Sequence, residues 1–297
     1  MDENGLYDFH QSLVTKLGAG EGAFNWHCDL EIPAIDLGRI KMVGVYEEAA
    51  QWRRKEPAPD MYFSHGQYYQ DGIQHIIEEL KCKSTSNRAM YSLLAQKDIS
   101  RSGDAPIPSF LTFQCSIEHG SILYCTASFR ALEVGTFLRV NLEEIRQNLV
   151  EIYEAFPAIE TVRLHIFAFH AYVRTVASVA LRRPEIEVTP QIQLMLLMQK
   201  GDVSTLDQLL GGLEQSTTVV SPKSLENLLQ ILRWPGVDLH EKVQTKQNLL
   251  ELQLKQAIVA CEELKKSREG ASRGVNTAEK IKAFQEAVKN LRGTLLS

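Results

Sequence analysis

The chain has 297 residues, 44% of them hydrophobic, and a formal net charge of -5, which suits one large domain or two smaller ones around a real core. Apolar residues run along most of the chain, which excludes bulk disorder. The acidic balance argues against nucleic-acid binding through a basic surface, and no apolar run reaches bilayer-spanning length.

The acidic start "MDENGLYDFHQ" does not read as a signal peptide. Five scattered cysteines (Cys28, Cys82, Cys115, Cys125, Cys261) with no CxxC pair read as reduced thiols of a cytoplasmic protein, most of them small buried hydrophobes. Leu6, Phe9, Leu13 and Leu17 recur at helical spacing, and the "GAGEG" after them ends that helix. Residues 36–46, "DLGRIKMVGVY", read as a strand, and "EPAPD", 56–60, as a loop. Ile73, Ile76, Ile77 and Leu80 form one apolar helix face, and "RAMYSLL", 88–94, reads as a strand. A polar loop, "QKDISRSGDAPIP", leads to "PSFLTFQCSI". There Leu111, Phe113, Cys115 and Ile117 alternate with Phe110, Thr112 and Gln114. "EHGS" is a hairpin turn before the strand "ILYCTASFR". Leu142, Ile145, Leu149, Ile152 and Phe156 mark a helix, "TVRLHIFAFHAYV" a strand, and "IEVTPQIQLMLLM" a further strand. Residues 1–213 therefore read as an α+β domain.

The remainder, 214–297, is helical. Ser221 and Pro222 start a short helix closed by "WPG". Leu250, Leu254, Ala257, Cys261 and Leu264 form one heptad seam; Ile281, Phe284, Val288, Leu291 and Leu295 form another. Asn276 with Glu279 gives the last helix a capping box. With "SREGASRG" as the loop between them, the seams predict an antiparallel coiled-coil hairpin. About two heptads each is marginal alone, so the hairpin packs on its own domain, on a second protomer or on another protein.

Four segments, "SNRAM", "PSFLTFQ", "FRALEVGTFLRVN" and "RLHIFAFHAY", occur in an order that resembles the thymidylate synthase and pyrimidine hydroxymethylase family. The family has a Pro-Cys-His segment with a Gln five residues after the Cys; here Pro108-Ser109-Phe110 is followed by Gln114 at that spacing. It has Arg-Ser-x-Asp with an Asn eleven residues after the Arg; here Arg130-Ala131-Leu132-Glu133 leads to Asn141 at that spacing. A His-x-Tyr pair is His165-Ile166-Phe167, and Arg88 keeps one of two phosphate-binding arginines. The resemblance covers roughly residues 60–213 of the chain. The N-terminal family segment, with its catalytic Glu and folate-facing Trp, has no counterpart.

The resemblance implies a thymidylate-synthase-like sheet with packed helices, followed by the C-terminal α-helical hairpin. It also implies a nucleotide site of Arg88, Gln114, Arg130, Glu133, Asn141 and His165. Arg130 and Arg88 would hold the phosphate by paired N–H donors, or are surface arginines. Asn141 would read the pyrimidine edge, or cap the 142–156 helix with Glu144. His165 would meet the ribose, or is an ordinary strand histidine. In the family the Cys adds to the pyrimidine as a thiolate. Ser109 lacks that option, and Phe110, Ala131 and Phe167 replace three further functional residues. Ser109 therefore reads as a remnant or a loop residue more readily than as a nucleophile.

The expectation is a catalytically silent thymidylate-synthase-like protein with no cofactor, acting in nucleotide sensing or as a scaffold. The alternative is a diverged enzyme acting on a pyrimidine nucleotide. A homodimer is expected through the apolar face of "FLTFQCSI", and a protein partner through residues 240–297. No membrane contact is expected. The eight histidines and five cysteines give no HExxH or zinc spacing, so no metal is expected either.

Overall fold

The computed structural model describes residues 4–18, 22–101, 106–173, 182–216, 219–269 and 274–297, with the backbone alone at 101, 269 and 274–276. The chain forms two compact units, one of residues 1–101 and 107–179, the other of residues 102–106 and 180–297. The division falls before residue 213, because the segment read as a strand, "IEVTPQIQLMLLM", is helical and joins the second core.

In the first unit, α1 (Gly5–Leu17) buries Leu6, His10, Leu13 and Leu17. Strand β1 (Gly22–Pro33) follows. It turns Leu30 and Ile32 inward while His27, Asp29 and Glu31 stay exposed, the period of a half-buried strand. The expected strand at 36–46 is not one. A 3-10 turn covers Ala34–Asp36 and α2 begins at Tyr46 (Tyr46–Trp52). Leu37, Ile40 and Met42 are buried all the same, and Gly44, at φ 76°, bends the chain where a ladder would need extended backbone. Then come α3 (Gly66–Tyr69), α4 (Gly72–Cys82), β2 (Met90–Ser92) and α5 (Gln96–Arg101), the last inside the segment expected to be loop.

Strands β3 (Phe110–Glu118) and β4 (Ile122–Phe129) form a hairpin. His119 and Gly120 both have positive φ in its turn. Strand β5 (Leu132–Glu133), α6 (Phe137–Ala155) and β6 (Thr161–Tyr172) complete the unit. The strand order is β1-β6-β4-β3-β2, with β5 also paired to β6. β4 and β6 are parallel, so α6 is their crossover. The apolar stripes of α1, α4 and α6 close one core with the inward residues of the sheet. Among those residues are Phe113, Cys115 and Ile117. The face expected to pair two protomers is thus occupied by the chain's own helices. A register shift between Phe110 and Thr112 also turns Phe110 inward, against the simple alternation.

The second unit is helical where described. α7 (Glu185–Val188), α8 (Gln191–Lys200), α9 (Val203–Gln215), α10 (Lys223–Arg233), α11 (Glu241–Gln244), α12 (Gln247–Glu269) and α13 (Gly274–Leu296) follow in order. Ile192, Leu194, Leu196 and Met198 alternate as in a strand, but only Leu194 and Met198, four apart, are buried. The other two face solvent, which is the helical solution. Helices α12 and α13 pair through the two predicted seams, and α9 and α10 cover that pair. The hairpin therefore packs within its own unit. Lys280 on α13 reaches Glu263 on α12 at 2.5 Å, and Arg292 on α13 binds both Asp207 and Glu214 of α9. The last helix begins at Gly274, ahead of Asn276, whose side chain lies outside the described residues. No described helix is long and apolar enough to cross a membrane.

Candidate functional site

The six expected nucleotide-binding residues separate into three groups. Gln114 and His165 lie on the open face of the sheet. Strand pairing makes one row of Met90, Gln114, Thr126, His165 and Asp29 across five strands. Two strand steps part Gln114 from His165, about 10 Å. The Gln114 amide donates to the Asn87 carbonyl at 3.0 Å, which sets it beside the exposed Arg88 segment. His165 holds Asp29 through Nδ1 at 2.8 Å, and its ring lies 5.7 Å from that of His27. The neighbouring row holds Ser92, Thr112, Ser128, Phe167 and His27.

Arg130 follows the end of β4, beside Ser109. Its backbone N–H donates to the Ser109 carbonyl at 2.9 Å. Its guanidinium donates to the carbonyls of Pro108 and Ile107, each at 3.2 Å. These bonds tie down the chain leading into β3. Ser109 is half-buried in the bend before that strand.

Glu133 and Asn141 are buried, at 5% and 4% exposure. Glu133 accepts the backbone N–H groups of Gly135, Thr136 and Phe137, at 2.9, 2.7 and 3.2 Å, so its carboxylate neutralises the open N-terminus of α6. Nearby, His10 Nε2 donates to the Val134 carbonyl at 2.7 Å, and burial pulls the His10 pKa below its ordinary value. Asn141 does not cap a helix starting at 142, because α6 starts at Phe137. Its amide donates back to the Phe137 carbonyl at 2.8 Å, within the helix.

Sequence reasoning missed a polar network on the far side of α6. Residues 141–149 are all buried: the apolar stripe meets the core, and the polar side chains meet the segment from Leu37 to Tyr69. Glu143 accepts the Met42 N–H at 2.9 Å and pairs with Arg146, which donates to the Leu37 carbonyl at 2.6 Å. These bonds replace the ladder that residues 36–46 lack. Glu144 Oε2 holds His65 Nδ1 at 2.7 Å. His65 packs edge-on against Trp52, ring centroids 5.0 Å apart. Gly66 lets this happen: a Cβ there would lie 2.0 Å from the Arg53 carbonyl oxygen. Asn148 accepts from Arg53 Nε at 2.8 Å and donates to the Tyr91 hydroxyl at 3.2 Å. Burial, then the Glu144 charge, push the Tyr91 phenol far above its ordinary pKa. His65 and Glu144 are 3% and 0% exposed, so the pair lies out of solvent and cross-links α6 to the segment before α3. The signal for it is the run "NLEEIRQN", polar on every side of a helix that a crossover position forces into the interior.

Among the described residues no group of three or more His, Cys, Asp or Glu side chains is placed to hold a metal ion. An apolar void of about 20 Å³ lies in the second unit, between Leu206, Leu228, Leu254 and Leu291. It is the size of about one water and is lined without polar atoms, so it is a packing defect rather than a ligand site. No protein-family model matches this chain, and no curated protein matches it either.

Proposed function

We propose that this protein is a catalytically silent relative of the thymidylate synthase fold that works as a scaffold rather than by transforming a nucleotide. The observation that carries the reading is Arg130, whose guanidinium is spent on the carbonyls of Ile107 and Pro108. Three further residues support it. The Asn141 amide is used inside its own helix and the Glu133 carboxylate at the start of that helix. Ser109 lacks the accessible thiolate chemistry of the family's cysteine. A protein partner in this reading meets the outward side of residues 240–297, where Leu249, Leu252 and Val259 are exposed on α12. A homodimer would pair through the polar sheet face, since the apolar one is filled. The second reading, a diverged enzyme on a pyrimidine nucleotide, draws on the Asp29–His165 pair and Gln114 on the open sheet face. Calorimetric titration with dUMP and dCMP separates the two, together with an assay for methylene-folate-dependent dTMP formation. The scaffold reading predicts neither binding nor turnover.

A further inference from the structure

Cys115 and Cys125 stand directly opposite each other on β3 and β4. Directly opposed residues of an antiparallel pair have Cα atoms roughly 4.5–5.5 Å apart, inside the range of about 4.4–6.8 Å that a disulfide spans. Both side chains turn into the core, at 1% and 2% exposure, and their sulfurs are 3.5 Å apart. The sulfurs need to close from 3.5 Å to about 2 Å, a shift of the scale that side-chain rotation supplies. Neither thiol has a competitor of this kind. Cys28 is opposite Ile166 on β1, Cys82 is exposed at the end of α4, and Cys261 belongs to the second unit.

We propose that Cys115 and Cys125 form a redox site that closes to a cross-strand disulfide when it meets a small disulfide oxidant such as oxidised glutathione. One cysteine, as thiolate, attacks the oxidant, forms a mixed disulfide and releases one glutathione thiolate. The second cysteine then attacks the protein sulfur of that mixed disulfide and releases the other glutathione. Two S–H bonds are lost and one S–S bond forms; two electrons reduce the oxidant to two thiols. Burial, then the bond to Cys115, raise the Cys125 thiol well above its ordinary pKa, so the folded hairpin reacts slowly and the first attack waits for local opening. Once closed, the bond encloses the turn at His119 and Gly120. The hairpin, whose outer face carries Gln114 and Thr126, can then no longer open.

The test is equilibrium oxidation of the full chain in oxidised glutathione. The chain is refolded from urea in the same buffer, so that burial does not block the reaction. Thiols are then alkylated under denaturing conditions and mapped by mass spectrometry. The expected result is loss of alkylation at Cys115 and Cys125 together, with a linked peptide lighter by the two thiol hydrogens. Cys28, Cys82 and Cys261 appear in no linked peptide, alkylated or carrying glutathione singly. In Cys115→Ser, and separately in Cys125→Ala, the remaining partner has no resolving thiol, so it is recovered as the glutathione mixed disulfide and in no linked peptide. The proposal is overturned if both cysteines of the wild type remain alkylatable, if either carries glutathione stably, or if either links to Cys28. The wild-type map decides the matter even where a variant fails to fold.

Discussion

At the scale of single residues, the chain uses polar side chains to hold itself. Asn141 is the clearest case. As a helix cap it would accept Asp with little change; as a buried donor to the Phe137 carbonyl it would not. Asn141→Asp removes the donor and sets a carboxylate against a carbonyl oxygen in the interior. Urea denaturation should show a loss of about 1–3 kcal/mol, and an unchanged midpoint would restore the capping reading. A second case is Glu187 on α7. Burial pushes its carboxyl from 4.5 up to about 7, with Arg183 working in the opposite direction, and its Oε1 is buried without a partner. The folded pKa lies above the unfolded one, so the folded state holds this proton more tightly. The stabilising contribution is complete below about pH 4.5 and is lost as pH rises through about 7. Glu187→Gln should therefore flatten stability across that window and gain about 1–2 kcal/mol at pH 8, a figure reduced for partial solvation. A wild-type slope that persists in the variant would contradict this.

At the scale of elements, the sequence showed α1, α4, the β3–β4 hairpin, β6 and both heptad helices, because each carries a regular apolar period over its whole length. Three of the elements it missed or misplaced have a clear physical reason. Residues 36–46 are as apolar as a strand, yet their polar backbone is served by Glu143 and Arg146 on a helix about a hundred residues later, which no local pattern reports. Strand β1 was missed because its inward residues from Trp26 to Ile32 alternate with His27, Asp29 and Glu31 only after Asn25, at φ 52°, has reset the alternation. Helix α8 mimics a strand because its apolar residues run on beyond the buried stripe. Leu194 is fully buried and Leu196 is 43% exposed. Leu194→Ala should therefore cost about 2–5 kcal/mol, and Leu196→Ala stay within about 0.5. Similar losses at the two positions, as on one face of a strand, would overturn the helix. Of the candidate site, the sequence pattern picked out polar residues that the fold places in three separate groups. Their hydrogen-bond partners were not legible, because the partners of Arg130 and Glu133 are backbone groups of neighbouring turns and carry no residue code.

At the scale of the molecule, two units carry separate cores. In the second, α12 and α13 lie over Leu206, Leu210 and Leu213 of α9 and Leu225 and Leu228 of α10 in one cluster. The hairpin is thus part of that fold and not a free arm. Ending the chain before Val237 would uncover those leucines. Limited proteolysis should then cut within residues 182–236 at sites protected in the full chain, and equal resistance would show that the hairpin is dispensable. The central claim is that Gln114, Arg130, Glu133 and Asn141, four of the residues expected to meet a nucleotide, are already committed to the protein's own backbone. Isothermal titration of the full chain with dUMP tests it most directly. The account predicts no saturable heat at millimolar nucleotide. Saturable binding that Arg130→Ala abolishes would contradict it.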